Sequence, residues 1–210
     1  GFPPPPPRAK GDPPPPGGRP AVAAVIRPAR PEDVEALLRV KARSWREAYG
    51  SLLAAEVFDR VDARVPEDVP AWAALIGSDK DLWVAEADGG RLVGVALAGP
   101  SRIERPACGE PEASHASDAS DAPDDGSASP SMPGRELMVL YILAETYGTG
   151  VGARLMRAAA GDGPAVLRVL AENPRAIAFY RKHGFVEDGA PQPMEGAWAG
   201  LHEQLMVRRG

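Results

Sequence analysis

Residues 137–160 restrict the fold of this 210-residue chain more than any other part of the sequence. They begin with an apolar run, continue through a loop in which Gly148, Gly150 and Gly152 alternate with other residues, and end in a helix-forming stretch. This order predicts a strand, a tight turn and a helix. Glycine allows a ligand to approach the backbone closely, and the free N–H groups at a helix start suit a phosphate. Such glycines also serve tight packing alone, so both interpretations stand at this point.

A second segment, residues 165–185, predicts a strand followed by a short helix with defined ends. The apolar run that opens it has the length of a buried strand. Asn173 is a suitable N-cap, Pro174 suits the first helical position and Gly184 suits the C-terminal stop. Tyr180 lies two turns into the helix defined in this way.

In this order and at this spacing, the two segments resemble the GNAT superfamily of acetyl-CoA-dependent N-acyltransferases. The similarity covers roughly residues 22–209, because residues 25–34 resemble the first strand and helix of that superfamily. Residues 82–86 and 92–97 predict a hairpin, and residues 203–208 predict a last strand. In the second segment the resemblance is carried by Asn173, Ala176, Phe179, Tyr180, Gly184 and Phe185.

The resemblance implies an α/β (α+β) fold built on a single mixed sheet. The sheet is expected to be twisted and mostly antiparallel, with six to seven strands flanked by about four helices, and splayed between the fourth and fifth strands. We expect one acetyltransferase domain over residues 22–209. A disordered proline-rich tail, residues 1–21, precedes it, and a flexible acidic insertion, residues 101–134, interrupts it.

Composition is the basis for predicting the tail and the insertion. Residues 1–20 contain ten prolines and almost nothing to bury, which is typical of an extended polyproline-II segment. Residues 101–134 lack aromatic residues and are rich in Ser, Pro, Ala and Asp, so they cannot offset the entropy cost of ordering. The single cysteine, Cys108, lies in this insertion, which excludes an internal disulfide and a structural thiolate zinc site.

Charge and hydropathy exclude two classes of partner. The net charge is −5, so no overall basic field attracts nucleic acid. No apolar run approaches the about 20 residues of a membrane span, and no signal peptide is recognisable, so we expect a cytoplasmic protein without a membrane partner. Arginine outnumbers lysine twenty to four, a bias that suggests a GC-rich bacterial genome. The resemblance also allows a homodimer.

By resemblance, acetyl-CoA would bind as co-substrate along the strand and the glycine loop, without a metal. The strand backbone would pair with the acetyl and pantetheine part, the loop N–H groups would bind the pyrophosphate, and Asn173 would contact the pantetheine arm, act as a plain N-cap, or do both. The family's loop usually begins with Gln or Arg, whereas this chain has Tyr147. The residues expected to bind the co-substrate are Leu140, Tyr141, Ile142, Gly148, Thr149, Gly150, Val151, Gly152, Ala153 and Asn173.

The resemblance gives Tyr180 the role of general acid and Glu136 that of general base. A phenol with a pKa of about 10 stays protonated at neutral pH and can donate a proton to a departing thiolate. The alternatives are a core tyrosine at helical spacing and a solvated carboxylate at a strand edge. His183 and Glu172 are further candidates. Arg168 stands where relatives that acetylate protein N-termini often carry an acid, which disfavours that kind of acceptor.

Trp45 and Tyr49, one helical turn apart, are candidate walls of an acceptor pocket, or else residues that pack a helix on the sheet. The function indicated is an N-acetyltransferase that moves an acetyl group from acetyl-CoA to a primary amine by direct transfer in a ternary complex. A non-catalytic acyl-CoA-binding or regulatory module and a proline-motif interaction protein are the alternatives. The acceptor is open among a small-molecule amine, a peptide N-terminus and a protein lysine.

Overall fold

The computed structural model describes residues 23–103 and 132–210, which form one sheet of eight strands with five helices. The strands are β1 (Ala24–Pro28), β2 (Asp81–Ala87), β3 (Arg91–Pro100), β4 (Arg135–Ile142), β5 (Ala165–Leu170), β6 (Val186–Glu187), β7 (Gln192–Pro193) and β8 (His202–Arg208). The helices are α1 (Val34–Tyr49), α2 (Ala55–Ala63), α3 (Val65–Ala73), α4 (Val151–Ala160) and α5 (Pro174–Lys182).

The strands follow the order β1-β2-β3-β4-β5-β8-β6, with β7 paired to β8. All neighbouring pairs are antiparallel except β4 and β5, which are parallel because α4 crosses over between them. The predicted mixed, mostly antiparallel sheet is therefore confirmed. The strand number exceeds the prediction because β6 and β7, of two residues each, also join the sheet. Five helices are present where about four were expected, and two of them, α2 and α3, follow each other closely within residues 55–73.

Strand β3 lies at the centre of the core. All of its residues from 92 to 99 are buried, so both faces of this strand are covered. Helices α1 and α4 both contact β3, through buried residues that include Leu37 and Leu155, and they therefore cover opposite faces. The same two helices contact β4, which fixes the position of the neighbouring strand from both sides.

Strands β4 and β5 diverge after a very short pairing. Only Glu136 with Val166 and Leu137 with Leu167 are paired. Beyond this point β4 remains bonded to β3, and β5 remains bonded to β8, so a cleft opens between the two parallel strands. The predicted splay between the fourth and fifth strands is confirmed.

A β-bulge in β4 lies where the two strands separate. On the β3 side, Leu97 pairs with Val139 and Ala98 pairs with Leu137, so Met138 is the extra residue. A bulge increases the local twist of a strand and redirects its side chains. The distortion thus turns the remainder of β4 away from β5.

The two ends of the predicted insertion belong to the folded structure. Ile103 is buried and Met132 partly buried, and both pack in a small cluster with Val166 and Val207. Residues 104–131, which include Cys108, and the predicted tail lie outside the described residues. Their predicted flexibility stays a prediction.

Candidate active site

A cavity of about 870 Å³ fills the cleft between β4 and β5. Its volume lies in the range of small-molecule and cofactor sites. Helix α1, the loop before α4 and one side of α5 complete its walls. It is lined by twelve of the fourteen residues predicted as catalytic, co-substrate-binding or acceptor-binding: Trp45, Tyr49, Glu136, Leu140, Tyr141, Ile142, Gly148, Gly150, Gly152, Ala153, Asn173 and Tyr180.

The glycine loop presents free N–H groups to this cavity. Gly148 and Gly150 have φ angles of +79° and +83°, which a residue with a side chain adopts only under strain. Gly150 is the N-cap of α4, and the first intrahelical bond runs from the Arg154 N–H to its carbonyl oxygen. The N–H groups of residues 151–153 therefore have no partner within the helix, and the helix dipole adds to their attraction for an anion.

Two predicted co-substrate residues do not line the cavity. Thr149 donates both its N–H, at 3.3 Å, and its hydroxyl, at 2.7 Å, to the carbonyl oxygen of Thr146. The side chain of Val151 is fully buried in the core. Thr149 therefore holds the shape of the loop, and the part of Val151 that can reach a ligand is its backbone.

Beyond Leu137, the edge of β4 that faces the cavity has no neighbouring strand among the described residues. Leu140, Tyr141 and Ile142 are paired with β3 on their other side. In a strand, alternate backbone N–H and C=O groups point to the two edges, so one set points into the cleft. An extended ligand with amide groups can pair with this edge as an added strand.

Asn173 begins α5 at the cavity wall. Its Oδ1 accepts a hydrogen bond from the Ala176 N–H at 3.0 Å, and Pro174 follows in the first turn, so the predicted cap is confirmed. The side-chain amide also interacts with the hydroxyl of Tyr49. Capping and a contact with a ligand are therefore compatible roles for this residue.

Tyr180 lies two turns into α5, between the core and the cavity, with 8% of its surface exposed. Its ring packs edge-to-face on Phe179 and Phe185, with centroid distances of 5.3 Å and 5.8 Å. The hydroxyl makes no hydrogen bond to any described residue. Burial raises the pKa of the Tyr180 phenol well above its ordinary value, with smaller contributions from Tyr141 and Tyr49. The phenol is therefore kept protonated and is not committed to another protein group.

Glu136 is buried at the other end of β4, with only 7% of its surface exposed. Its Oε2 accepts a hydrogen bond from the backbone N–H of Arg102 at 3.0 Å, and its Oε1 lies 3.5 Å from the Arg102 guanidinium. A solvated carboxylate at a strand edge, the alternative raised by the sequence, does not describe this residue. The carboxylate is held in one orientation at the cavity wall.

Comparison with known families decides the identity of the domain. The sequence model of the acetyltransferase (GNAT) domain matches residues 78–187, just over half of the chain. The chain belongs to the GNAT acetyltransferase family. No curated protein sequence matches it significantly.

Solved structures share this GNAT fold at low sequence identity. The PaiA N-acetyltransferase of Thermoplasma acidophilum, solved with coenzyme A, is 18% identical with a TM-score of 0.55, covering 90% of this chain and 99% of that one. The ribosomal-protein-alanine N-acetyltransferase of Brucella melitensis is 20% identical with a TM-score of 0.55, covering 89% and 99%. A phosphinothricin acetyltransferase of Sinorhizobium meliloti, solved with acetyl-CoA, is 19% identical with a TM-score of 0.54, covering 88% and 87%. At these identities the likeness establishes the fold.

GNAT proteins catalyse acetyl transfer from acetyl-CoA, so the predicted family, acetyltransferase class and co-substrate are confirmed. Within residues 23–103 and 132–210, no group of three or more His, Cys, Asp or Glu side chains is arranged to hold a metal ion. The helices in this part of the GNAT chain are all too short or too polar to cross a bilayer.

An aromatic cluster forms one wall of the GNAT cavity. Trp45 and Tyr49 on α1 both meet Trp198, with centroid distances of 5.1 Å and 5.9 Å, and Trp45 also meets Tyr141 at 5.9 Å. Trp198 ends a short turn, Gly196–Trp198, between β7 and β8. Sequence reasoning missed it, because its only local signal is a tryptophan in a Gly-, Ala- and Pro-rich stretch before the last strand.

Tyr147 stands where the GNAT loop usually begins with Gln or Arg, and it is paired with Arg175 of α5. The Arg175 guanidinium lies 3.8 Å from the Tyr147 ring centroid and donates a hydrogen bond to the hydroxyl at 2.9 Å. Both residues line the cavity. Sequence reasoning did not single out Arg175, since nothing local links it to a residue 28 positions earlier.

The remaining candidates differ in position. His183 lines the cavity, and burial lowers the pKa of its imidazole, with Lys182 adding to the effect. Glu172 does not line the cavity and instead accepts hydrogen bonds from the backbone and ring of His202, at 3.1 Å and 2.9 Å. Arg168 lines the cavity as an ion pair with Glu203, at 3.0 Å.

Proposed function

We propose that this protein is an N-acetyltransferase that moves an acetyl group from acetyl-CoA to a primary amine by direct transfer within a ternary complex. The observation that carries the proposal is that one cavity contains a free strand edge, a helix start with unpaired N–H groups, a protonated phenol and a fixed carboxylate. These are the parts that thioester aminolysis needs. The N-acetyl specificity and the identities of the catalytic groups belong to this proposal.

The co-substrate would lie along one continuous segment. Its pyrophosphate would bind the free N–H groups of residues 151–153, and its pantetheine amides would pair with the open edge of β4 at Leu140 and Ile142. The thioester would then lie beside β4, with Tyr180 on the facing helix.

In the transfer step the amine nitrogen attacks the thioester carbonyl carbon, the new C–N bond forms, and the C–S bond breaks. Tyr180 donates its phenolic proton to the departing thiolate. The burial that raises its pKa ensures that this proton is present throughout the neutral range. The proton that the amine loses reaches Glu136, directly or through water, and Glu136 then releases it to solvent, from which the phenolate is reprotonated. The products are the N-acetyl amine and free CoA.

The buried carboxylate of Glu136 supports the role of general base. The Arg102 N–H and guanidinium both hold the carboxylate in a fixed orientation. An α-amine with a pKa of about 8 needs little help to lose its proton at pH 7. A lysine-like amine has a pKa of about 10.4, which is about 3 pH units above pH 7, so its deprotonation is much less favourable. Glu136 therefore matters most for a strongly basic acceptor.

Direct transfer is favoured over an acyl-enzyme because no residue of the cavity wall has the character of a covalent nucleophile. The described residues contain no cysteine, and Ser44, the serine that lines the cavity, donates its hydroxyl to the Lys41 carbonyl oxygen at 2.8 Å. A serine nucleophile would need to donate its hydroxyl proton to an adjacent base, which a backbone carbonyl oxygen is not.

The test is a pair of measurements on the whole chain. Calorimetric titration with desulfo-CoA measures binding, and CoA release from acetyl-CoA in the presence of an α-amino acid, a polyamine and a lysine peptide measures transfer. We expect binding and amine-dependent CoA release. Binding with no release for any amine class would favour a non-catalytic acyl-CoA-binding module, and absence of binding would overturn the acetyltransferase proposal altogether.

A further inference from the structure

The pairing of Arg175 with Tyr147 is not explained by helix stability. Arg175 lies in the first turn of α5, where the positive end of the helix dipole disfavours a cation. The first turn of α5 contains no acidic residue that could compensate this charge. Within the part of the chain that the structure describes, its guanidinium has no salt bridge, and its contacts are the ring and hydroxyl of Tyr147. A full positive charge is therefore held in place without an anionic partner.

The Arg175 guanidinium lies close to the glycine loop, where an anionic ligand could bind. Tyr147 directly precedes Gly148, and both Gly148 and Gly150 line the cavity together with Arg175. Stacking on the ring fixes the plane of the guanidinium, and the hydrogen bond to the hydroxyl uses only one of its five N–H donors. The other donors can face an anion that is bound at the start of α4.

We propose that Arg175, oriented on the Tyr147 ring, binds the pyrophosphate of acetyl-CoA from the α5 side while the N–H groups of the loop bind it from the α4 side. Tyr147 is then a positioning residue that acts through Arg175. This inference rests on the proposed function for the presence of the co-substrate in the cavity.

The first experiment compares calorimetric binding of CoA and of 3′-dephospho-CoA to the whole chain. We expect Arg175→Ala to weaken both ligands to the same extent, by about 10- to 100-fold, as for the loss of a charge-assisted hydrogen bond. Arg175→Lys should recover part of the loss, because it keeps the charge but not the planar fork. The matched control is Arg181→Ala, an exposed arginine of the same helix that pairs with Glu187 outside the cavity, and it should change binding by less than about 2-fold.

Two results would overturn the proposal. Wild-type affinity in Arg175→Ala would mean that the guanidinium does not touch the ligand. A loss seen with CoA but not with 3′-dephospho-CoA would move the contact to the 3′-phosphate. A wild type that binds neither ligand would refute the proposed function itself, so the two failures are distinguishable.

The second experiment tests the positioning role of Tyr147. Tyr147→Phe keeps the ring and loses only the hydroxyl contact, so it should weaken binding by no more than about 3-fold. Tyr147→Ala should approach the loss of Arg175→Ala, and the double variant should be no weaker than Arg175→Ala alone. Additive losses would show that the two residues act independently and would overturn the role of the ring.

Discussion

Leu137 and Leu167 form the last paired position between β4 and β5. Beyond it, within residues 23–103 and 132–210, residues 138–142 have a neighbouring strand on one edge only, and the glycine loop follows after a short turn. One continuous stretch of chain, residues 138–153, therefore provides both the open strand edge and the free helix N–H groups. Because these two elements follow each other directly in the chain, their relative position is fixed by the local structure.

The anion site makes a prediction that a charge change at a single glycine tests. Gly150→Asp and Gly150→Asn both place a side chain at φ +83°, a conformation that Asp and Asn tolerate better than other residues. We expect Gly150→Asp to bind CoA at least about 10-fold more weakly than Gly150→Asn, because only the aspartate adds a negative charge beside the pyrophosphate. Titration calorimetry of the two variants measures the difference. Equal affinities would move the pyrophosphate away from this loop.

Removal of the Tyr180 hydroxyl should affect chemistry and not binding. Tyr180→Phe preserves the ring and its contacts with Phe179 and Phe185. We expect kcat to fall by about 10² to 10³-fold, with the affinity for desulfo-CoA unchanged. Steady-state kinetics and calorimetry together provide the measurement. An unchanged kcat, measured where acetyl transfer limits the rate, would exclude the phenol as general acid.

Three tyrosines of the cavity wall, of which Tyr180 is buried and two are partly buried, should produce a loss of stability at high pH. Burial raises the pKa of Tyr49, Tyr141 and Tyr180 in the folded protein. Below pH of about 10 these phenols are protonated in both states and contribute no pH dependence. Above it the unfolded chain loses protons that the folded chain keeps, so the free energy of unfolding should fall by up to about 1.4 kcal/mol per pH unit for each phenol.

Urea denaturation between pH 8 and 11 measures this dependence, and Tyr180→Phe should give a shallower decline than the wild type. The kcat of the wild type should not decrease below a pH of about 10 through deprotonation of Tyr180, because the phenol retains its proton in this range. Identical declines in the two proteins would contradict the protonated state inferred for Tyr180.

The role of Glu136 can be separated from its structural role by the choice of acceptor. Glu136→Gln keeps an oxygen that can accept the hydrogen bond from the Arg102 N–H. The amide that replaces the carboxylate cannot act as a base. We expect a larger loss of kcat/KM with a lysine-like amine than with an α-amine, by about 10-fold or more, because the first is almost fully protonated at pH 7. Glu203→Gln, which alters another carboxylate of the cavity wall, should not show this dependence on acceptor basicity. Equal losses for both amines would argue against a base role for Glu136.

The aromatic cluster should contribute to acceptor binding. Trp198→Ala removes the ring that contacts both Trp45 and Tyr49 but leaves β4 and the glycine loop intact. We expect the KM for the amine to rise by about 10-fold while the affinity for CoA stays within about 2-fold. Initial-rate kinetics with the amine varied at saturating acetyl-CoA measures the first quantity. A weakened affinity for CoA with an unchanged KM for the amine would assign Trp198 to the co-substrate side.

The parts of the site that sequence predicted are those in which neighbouring residues act on each other. Gly150 and Asn173 are recognisable because a left-handed φ and an N-cap are requirements of a few consecutive residues. Helix α3 was not predicted, because Pro70 in its interior is locally a helix-breaking signal. Val65 is buried and Trp72 packs on the core, and this tertiary packing overrides the local signal.

The parts that sequence could not predict depend on contacts between distant segments. The Arg102–Glu136 bond joins the ends of two strands whose pairing register includes a bulge, so no spacing rule leads from one residue to the other. Trp198 reaches Trp45 only because α1 and the turn before β8 meet at the same end of the cleft. In both cases the contact forms only when the tertiary fold brings distant segments together. The local periodicity of the sequence carries no information about such contacts.

The packing of Ile103 beside Met132 has a consequence for engineering. These two residues flank residues 104–131 and lie next to the Arg102 N–H that orients Glu136. When both ends of a segment are anchored together, doubling its length costs only about 0.6 kcal/mol of closure entropy. A guest peptide inserted between residues 103 and 132 would therefore cost little additional closure entropy and would join the sheet beside Glu136, the proposed general base.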